Sequence, residues 1–289
     1  QSSGFEIITK LSDVVLALEA LGIKIIWFED DSISYSDYNK YAKEFSFAQL
    51  LPQEGKLTSA REIKNEIEIQ KISVAANIAD LAFEYIIERI EAGRSELEIA
   101  AELECFMKKQ GACRASFETI VASGYRSALP HGAASSKIIQ KGELIVLDYG
   151  CVYEGYCSDM TRTVIVGEAN ERQKEIYYIV LQAQMLALNG IKSGVKCADA
   201  DTIARDYITK SGYGEQFGHS LGHSVGIKLH ELPNLSPKST DVLASGMVLT
   251  VEPGIYIEGF GGVRIEDLVV IEDENCRNLT KSSKELMII

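Results

Sequence analysis

The sequence lacks several features that would place the chain in large classes of proteins. It carries 29 basic residues against 42 acidic ones, a formal net charge of −13, and it has no basic cluster. Binding to nucleic acid depends largely on basic side chains at phosphates, so this composition argues against a nucleic-acid partner. No apolar run approaches the roughly 20 residues of a membrane-spanning helix, and there is no signal-peptide pattern. We therefore expect no membrane association.

Cysteine is also scarce. The six cysteines include no C-x-x-C pair, which argues against a structural zinc site or a redox motif. Free thiols in a reduced compartment are the simplest interpretation, so we predict a cytoplasmic protein without disulfides. Hydrophobic residues make up 46% of the 289 residues, which suits one large domain with or without a smaller lobe.

Residues 1–56 have the pattern of a small α/β unit. Residues 11–21 have helical spacing and end at Gly22, residues 23–28 indicate a strand, and residues 33–45 indicate a second helix. Three short elements are few for an independent core. We therefore interpret this segment as a partial lobe.

Two similar halves follow, each made of two helices and then strands. Capping boxes at Ser59-x-x-Glu62 and Ser95-x-x-Glu98 open the helices of the first half. The predicted helices cover about 61–92, 96–111, 170–189 and 198–211, and the predicted strands cover 118–123, two segments around Asp148 and Asp159, 247–251, 255–257 and 263–271. This order predicts an α+β fold with a mostly antiparallel sheet and helices on one face.

The stretch 144–163 carries two aspartates among residues that favour strands. Its first four residues form an apolar run typical of a buried strand, and Asp148 follows that run. Two glycines then permit a turn that would bring Asp159 back beside Asp148, as in a hairpin. Two carboxylates at such close range indicate a cation between them, because they do not both ionise easily. Taken alone, aspartates at strand ends more often form turns or caps.

Histidine is rare, yet three of the four histidines lie in one glycine-rich segment. His219, His223 and His230 fall in GHSLGHSVGIKLHE, whereas His131 lies in a separate loop. Glycine lets a backbone approach a neighbour closely, and imidazole is a common ligand of transition metals. We interpret the cluster as metal-binding or catalytic. The alternative is a polar loop.

Two glutamates interrupt apolar strands of the second half. Glu252 ends the strand in MVLTVEPG, and Glu266 lies in mid-strand in GGVRIEDLVVI. A carboxylate in such a place needs a partner. Arg264 is two residues from Glu266 and on the same strand face, so a structural Arg–Glu pair is the alternative to a metal-binding role for Glu266.

Together these polar positions form a set suited to two divalent cations. The four carboxylates would neutralise the charge of two divalent cations, and the histidine would add an imidazole ligand. Such a set suits Mn²⁺, Co²⁺ or Fe²⁺, whereas a structural zinc site is usually rich in cysteine. Two ions about 3.5–4 Å apart can hold a bridging water, lower its pKa and stabilise a tetrahedral intermediate.

The segments LDYGCVYEGYCSDMTRT, FGHSLGHSVGIKLHE, TVEPGIYI and GGVRIED resemble the signature segments of the pita-bread (M24-type) metallopeptidases. Within that family they are most similar to Xaa-Pro aminopeptidases and Xaa-Pro dipeptidases, or prolidases. The resemblance covers residues from about 57 to 275. It implies an α+β pita-bread fold of two duplicated halves around a curved sheet, with the catalytic domain at 57–289. Residues 1–56 would be an incomplete N-terminal lobe of the creatinase type. A first residue of Gln1 fits either processing or a sequence that begins partway along that lobe.

The resemblance also implies a role for each candidate residue. The implied metal ligands are Asp148, Asp159, His223, Glu252 and Glu266, with Asp159 and Glu266 bridging two ions. Glu252 would also relay a proton. His230 would donate a hydrogen bond to the oxyanion, and His131 and His219 would hold the substrate. Arg264 would support Glu266, and Tyr256 would lie nearby.

The implied reaction is hydrolysis of the bond between an N-terminal residue and a following proline by a metal-bridging hydroxide. The resemblance implies two divalent ions, Mn²⁺ foremost with Co²⁺, Fe²⁺ or Zn²⁺ as alternatives, and short proline-containing peptides as substrates. It also implies a homodimer, which a lobe without its first strands leaves open.

Two alternatives to a proline-specific enzyme stay open. One is a methionine aminopeptidase of the same fold, although LPHGAAS around His131 and the position of Arg264 resemble the prolyl branch. The other is a catalytically inactive pita-bread module that binds a protein partner. Such relatives lose metal ligands, whereas all five positions are filled here.

Overall fold

Several helices begin where the sequence supplies a side chain that caps them. In a computed structural model of the chain, four side chains accept hydrogen bonds from the first backbone N–H groups of a helix: Ser34, Asn65, Ser95 and Asn170. The last three caps are complete capping boxes. The structure describes residues 7–53 and 55–289, except for the side chains of residues 56 and 57.

The α-helices and strands alternate in blocks along the described residues. The helices are α1 (Leu11–Ala20), α2 (Tyr35–Glu44), α3 (Lys56–Ser59), α4 (Glu66–Ile87), α5 (Glu96–Lys109), α6 (Glu171–Gly190) and α7 (Cys197–Lys210). The strands are β1 (Ile25–Phe28), β2 (Gln49–Pro52), β3 (Arg114–Ala115), β4 (Ile120–Ser123), β5 (Leu144–Tyr149), β6 (Cys151–Tyr153), β7 (Tyr156–Cys157), β8 (Met160–Ile165), β9 (Gly222–Ser224), β10 (Glu231–Leu235), β11 (Val248–Val251), β12 (Gly254–Ile257), β13 (Gly261–Arg264), β14 (Asp267–Ile271), β15 (Cys276–Asn278) and β16 (Met287–Ile288). Within the described part of the chain, no helix combines the length and apolarity needed to cross a membrane.

The chain divides into two units, residues 1–60 and 61–289. In the first unit, β1 and β2 pair in parallel, with Ile25 opposite Gln49. The helices and the strand predicted for this segment are present as α1, β1 and α2. Residues 1–6 and 54 of the predicted lobe lie outside the described residues, and the incompleteness of the lobe stays a prediction.

Each half of the second unit packs a pair of helices against strands. In the first half, α4 and α5 cover a sheet of order β16-β8-β5-β4, and Phe83, Leu103 and Leu147 share their core. In the second half, α6 and α7 pack on a sheet of order β10-β9-β11-β14-β15, with Val180 and Leu249 in the core. Strands in this unit pair antiparallel except β16 with β8. The α+β prediction of two helix–helix–strand halves is confirmed.

The long helix of the first half begins later than predicted. The capping box predicted at Ser59 is wrong, because the short helix α3 ends at Ser59 and α4 starts at Glu66. The Asn65 side chain accepts from the N–H groups of Ile67 and Glu68, and Glu68 accepts from the Asn65 N–H. The preceding N–H, that of Lys64, donates instead to the carbonyl of Gly246 at 2.9 Å. That contact ties the start of α4 to the second half.

The strand predicted over 263–271 is two strands. β13 ends at Arg264 and pairs with β12, whereas β14 begins at Asp267 and pairs with β11 and β15. Glu266 lies between them, so its predicted position in mid-strand is wrong. Its N–H donates to the carbonyl of Thr161 in β8 at 3.1 Å. The chain therefore passes from one sheet to another at Glu266, beside the strand that follows Asp159.

The cap at Asn65 yields a prediction about stability. Asn65→Ala removes the acceptor for two N–H groups of α4 and should lower the free energy of unfolding by about 1 kcal/mol. Asn170→Ala removes the equivalent cap of α6 and should cost a similar amount. Urea denaturation of both variants measures the effect. A loss in Asn170→Ala without one in Asn65→Ala would contradict the assigned start of α4.

The cysteines yield a second prediction. All six are free thiols, with Cys105 and Cys113 exposed. Burial raises the pKa of Cys151, Cys157, Cys197 and Cys276 to about 11. We expect a thiol reagent at pH 8 to modify two cysteines rapidly in the native protein and all six after denaturation without reductant. Four or fewer reactive thiols in the denatured protein would contradict free cysteines.

Candidate active site

Asp148 and Asp159 lie side by side because β5 and β8 are antiparallel neighbours. Tyr149, the last residue of β5, is opposite Met160, the first of β8, so Asp148 is next to last in one strand and Asp159 directly precedes the other. Gly150 makes the close approach feasible. A Cβ atom there would lie 1.9 Å from the carbonyl oxygen of Ser158, which no other residue type tolerates. The predicted hairpin-like return of Asp159 toward Asp148 is confirmed.

The second half adds polar side chains from three places. His223 is in β9, Glu252 directly follows β11, and Glu266 separates β13 from β14. Gly222 permits the same close approach as Gly150 does, since a Cβ at Gly222 would lie 2.0 Å from the carbonyl oxygen of Thr250. Each half thus has one glycine where the chain next to a candidate ligand comes into close contact with a neighbouring segment.

Three of the carboxylates form a tight group. Asp148, Asp159 and Glu266 each offer one oxygen, and these oxygens lie within 4.8 Å of one another. Among the described residues, Oδ1 of Asp148, Oδ1 of Asp159 and Oε1 of Glu266 are buried without a hydrogen-bond partner. Burial raises the pKa of all three carboxyl groups, and for Asp159 and Glu266 the neighbouring carboxylates raise it further. Unpaired buried oxygens are costly, so this donor set fits hard or borderline divalent cations.

His223 presents one ring nitrogen to this group. Its Nδ1 lies 3.1 Å from the carbonyl oxygen of Ser224 and donates to it, which leaves the lone pair on Nε2. Nε2 is 3.5 Å from Oδ2 of Asp159 and 3.5 Å from Oε1 of Glu252. Thr250 links Glu252 to the backbone of His223. Its hydroxyl donates to the Glu252 carboxylate at 2.9 Å and accepts from the His223 N–H at 3.0 Å.

Arg264 contacts Asp148 and not Glu266. Its Nη2 lies 2.5 Å from Oδ2 of Asp148, and its Nε donates to the Thr161 hydroxyl, which donates to Glu266 at 2.6 Å. The alternative of a direct Arg264–Glu266 pair is therefore wrong, because Arg264 reaches Glu266 only through Thr161. Burial opposes the charge, but Tyr256 and Asp148 raise the pKa of Arg264 well above its usual range. Burial also raises the pKa of Tyr256 to about 12.

A cavity of about 540 Å³ opens beside the carboxylates. His131, His219 and His230 line it together with the five candidate ligands and Arg264. His219 is held by the carbonyl oxygen of Ser220 at 2.8 Å and the Tyr256 hydroxyl at 2.9 Å. Burial lowers the pKa of His219 and of His230. Every residue singled out from the sequence is thus at the cavity wall or, in the case of Tyr256, in contact with it.

Sequence reasoning missed two threonines that orient carboxylates. Thr161 donates to Glu266, and Thr250 donates to Glu252. A usable signal exists in the spacing. Thr161 follows Asp159 by two residues and Thr250 precedes Glu252 by two, so each threonine faces the same side of its strand as a candidate ligand.

Comparison with known proteins gives one consistent result. Residues 70–273 match metallopeptidase family M24. The chain is 46% identical to an Xaa-Pro dipeptidase of Pyrococcus horikoshii over 278 residues, which is 96% of this chain and 78% of that protein. An Xaa-Pro dipeptidase structure from Bacillus anthracis superposes with a TM-score of 0.94 at 50% identity, covering 96% of this chain and 78% of the other.

An X-Pro aminopeptidase structure from Thermotoga maritima superposes with a TM-score of 0.93 at 42% identity, covering 96% of this chain and 79% of the other. The family match spans well over half of the chain and includes every candidate ligand. Metallopeptidases of this family use a pair of divalent metal ions, which agrees with the carboxylate group described above. The chain therefore belongs to the M24 metallopeptidases, with their pita-bread fold, and is a metal-dependent peptidase.

Proposed function

We propose that the protein cleaves the peptide bond between an N-terminal residue and a following proline. The observation that carries the proposal is the group of buried, unpaired carboxylate oxygens at one end of the histidine-lined cavity. Relatives at 44% and 46% identity are named Xaa-Pro dipeptidases, which supports the prolyl choice over a methionine aminopeptidase. The substrates would be short proline-containing peptides.

Five side chains would hold two divalent ions, Mn²⁺ in our proposal. They are Asp148, Asp159, His223, Glu252 and Glu266. Oxygen ligands with one imidazole suit Mn²⁺, and the unpaired oxygens of Asp148, Asp159 and Glu266 support the assignment. Glu266 and Asp159, the most deeply buried of the carboxylates in the group, would hold the ions from the protein interior.

When bound, the ions would lower the pKa of a water molecule and polarise the scissile carbonyl. Glu252 would accept the proton of the attacking water and deliver it to the proline nitrogen that leaves. Its carboxylate is oriented for this by the hydrogen bond from Thr250. Arg264 would hold Asp148 in place through their 2.5 Å contact, and the Arg264–Thr161 link would do the same for Glu266.

The histidines would act on the substrate. His230 would donate a hydrogen bond to the developing oxyanion, and its ring lies against that of His223 with 4.3 Å between centroids. His219 would hold the substrate from the side of Tyr256. His131, with Phe117 and Leu229, would form the wall that contacts the proline ring.

Two wider assignments belong to the same proposal. Residues 1–56 would be a partial N-terminal lobe and residues 57–289 the catalytic domain, which the division into units near residue 60 supports. A cytoplasmic location is supported by the six free cysteines.

Two substitutions should abolish turnover by different routes. Asp148→Ala removes a proposed metal ligand, so elemental analysis should find less metal than in the wild type. Glu252→Gln keeps the size of the side chain but removes the base, so kcat should fall by about 10²-fold or more with little change in thermal stability. Asp241→Ala, on the exposed surface, is the control. Wild-type activity in Glu252→Gln would sink the proposed base.

Proline after the scissile bond should be required. The prolyl nitrogen carries no proton, so a site built for it need not satisfy an N–H group. An Xaa-Ala substrate brings an N–H without an acceptor, at about 1–3 kcal/mol, and also loses the ring contact. We expect kcat/KM for Met-Pro to exceed that for Met-Ala by about 10²-fold or more, since 1.4 kcal/mol is about tenfold.

Variants of the cavity wall test that preference. His131→Ala should reduce the ratio of kcat/KM for Met-Pro to kcat/KM for Met-Ala, while the metal content stays at the wild-type level. If the wild type cleaves Met-Ala as fast as Met-Pro, the prolyl assignment fails and a methionine aminopeptidase takes its place.

A further inference from the structure

A fully buried carboxylate lies outside the metal group and is saturated with donors. Glu96, the first residue of α5, is 0% exposed. It accepts five hydrogen bonds, from the N–H (2.8 Å) and hydroxyl (2.8 Å) of Ser123, the N–H (3.0 Å) and hydroxyl (2.6 Å) of Ser135, and Nε of Arg126 (3.0 Å). A carboxylate has about four lone-pair positions, so Glu96 is filled to capacity.

The donors to Glu96 enclose one loop. Ser123 ends β4 and Ser135 follows the loop, so a single carboxylate joins the two ends of residues 124–134. Arg126 closes the loop further, because its Nη2 donates to the carbonyl oxygen of Ala133 at 2.6 Å. The middle of the loop is held by two contacts with β13: the Gly262 N–H donates to the Ser127 hydroxyl, and Arg264 donates to the carbonyl oxygen of Pro130.

This loop carries His131, whose side chain is held differently from those of His219 and His223. Those two rings each contact a backbone carbonyl through Nδ1. Within residues 7–53 and 55–289, no hydrogen bond to the His131 ring is found, and the residue is exposed at the cavity. The position of its imidazole therefore depends on the path of the loop backbone.

The second half contains a similar arrangement built from other residues. Asp201 in α7 is 0% exposed and accepts from Arg205 and from the Leu221 N–H. Arg205 donates in turn to the carbonyl oxygens of Phe217 at 2.9 Å and His219 at 2.7 Å. A buried acid on the second helix of each half, paired with an arginine, thus fixes the backbone next to a cavity histidine.

We infer that Glu96, with Arg126, is a positioning residue that sets the place of His131 in the cavity. The inference rests on the substrate role proposed above for His131. Glu96 makes no hydrogen bond to a candidate metal ligand among the described residues, and every donor to it lies at residues 123–135. Its effect should reach substrate binding and proline selectivity and should leave the metal ions unaffected.

The test is a double-mutant cycle between Glu96→Gln and His131→Ala. Glutamine keeps the size but turns an acceptor oxygen into a donor facing other donors. We expect kcat/KM for Met-Pro to fall by about tenfold or more, mainly through KM, because small displacements of substrate-positioning groups are costly. The ratio of kcat/KM for Met-Pro to kcat/KM for Met-Ala should become smaller. In the His131→Ala background, Glu96→Gln should have an effect of about twofold or less, the non-additivity expected of coupled groups.

Two further measurements separate positioning from general damage. Titration calorimetry with Mn²⁺ should give the wild-type affinity and stoichiometry in Glu96→Gln. Glu102→Gln is the matched control, because Glu102 lies on the same helix and pairs with Arg94 at 2.6 Å, away from the loop. It should keep wild-type kinetics. If Glu96→Gln does not fold, Arg126→Met replaces it in the same cycle, since it removes one donor to Glu96 and the bond to Ala133.

The outcomes are distinct. If Glu96→Gln lowers kcat/KM as much in the His131→Ala background as it does in the wild type, the positioning role is overturned. Weakened Mn²⁺ binding by Glu96→Gln would overturn it as well. If His131→Ala alone keeps wild-type kinetics and selectivity, the substrate role proposed for His131 fails and the inference fails with it. The metal-ligand proposal would still stand or fall separately on Asp148→Ala.

Discussion

The structure of the catalytic unit depends on carboxylates that are held together without enough partners. Asp148, Asp159 and Glu266 share a region where their oxygens lie within 4.8 Å, and one oxygen of each is buried and unpaired. Burial opposes ionisation there, and repulsion from neighbouring carboxylates, including that of Glu252, opposes it further, so the pKa of each is raised. Such an arrangement is stable when cations compensate the charge, and membership of a metallopeptidase family accounts for its presence.

The contrast between Glu266 and Asp267 shows how local this constraint is. The two residues are adjacent and both are buried, but Asp267 is surrounded by donors. Arg162 and Lys284 pair with it at 2.7 and 2.6 Å, and a further amide donor comes from Gln184. Burial acts to raise the pKa of Asp267, but the positive charges of Arg162 and Lys284 outweigh it and lower that pKa below its usual value. One carboxylate is therefore fully satisfied within the protein, and its neighbour keeps an oxygen free toward the cavity.

Two other buried acids resemble Asp267 in this respect. Glu96 and Asp201 are buried acids whose hydrogen bonds are complete within the protein, and both lie next to loops that carry cavity histidines. Asp148, Asp159 and Glu266, each with an unpaired oxygen, line the cavity directly. The duplicated fold accommodates both groups of acids. In each half the second helix supplies the acid that holds a loop, and inner strands of the sheet carry or flank candidate ligands.

Much of this protein could be read from its sequence. Helical spacing and the box at Ser95 placed most helices within a few residues, because caps and apolar periodicity act over one or two turns. Asp148, Asp159, Glu252 and Glu266 stood out as acids in apolar strands, and the histidines as a glycine-rich cluster. The start of α4 was misplaced because the helix is capped at Asn65 with Glu68 and not at Ser59. The choice of Asn65 depends on the bond from Lys64 to Gly246, a residue far along the chain.

Only the tertiary structure decided which acids are paired. Period-two spacing put Arg264 beside Glu266, yet the chain leaves the strand at that point and Arg264 turns to Asp148, 116 residues away. The role of Glu96 was likewise invisible, since its donors come from a loop 27 to 39 residues further on. The sequence by itself determined which residue types and local elements were available. Long-range packing of strands and loops determined which oxygens were satisfied, because hydrogen bonds between distant segments depend on register and burial and have no local period.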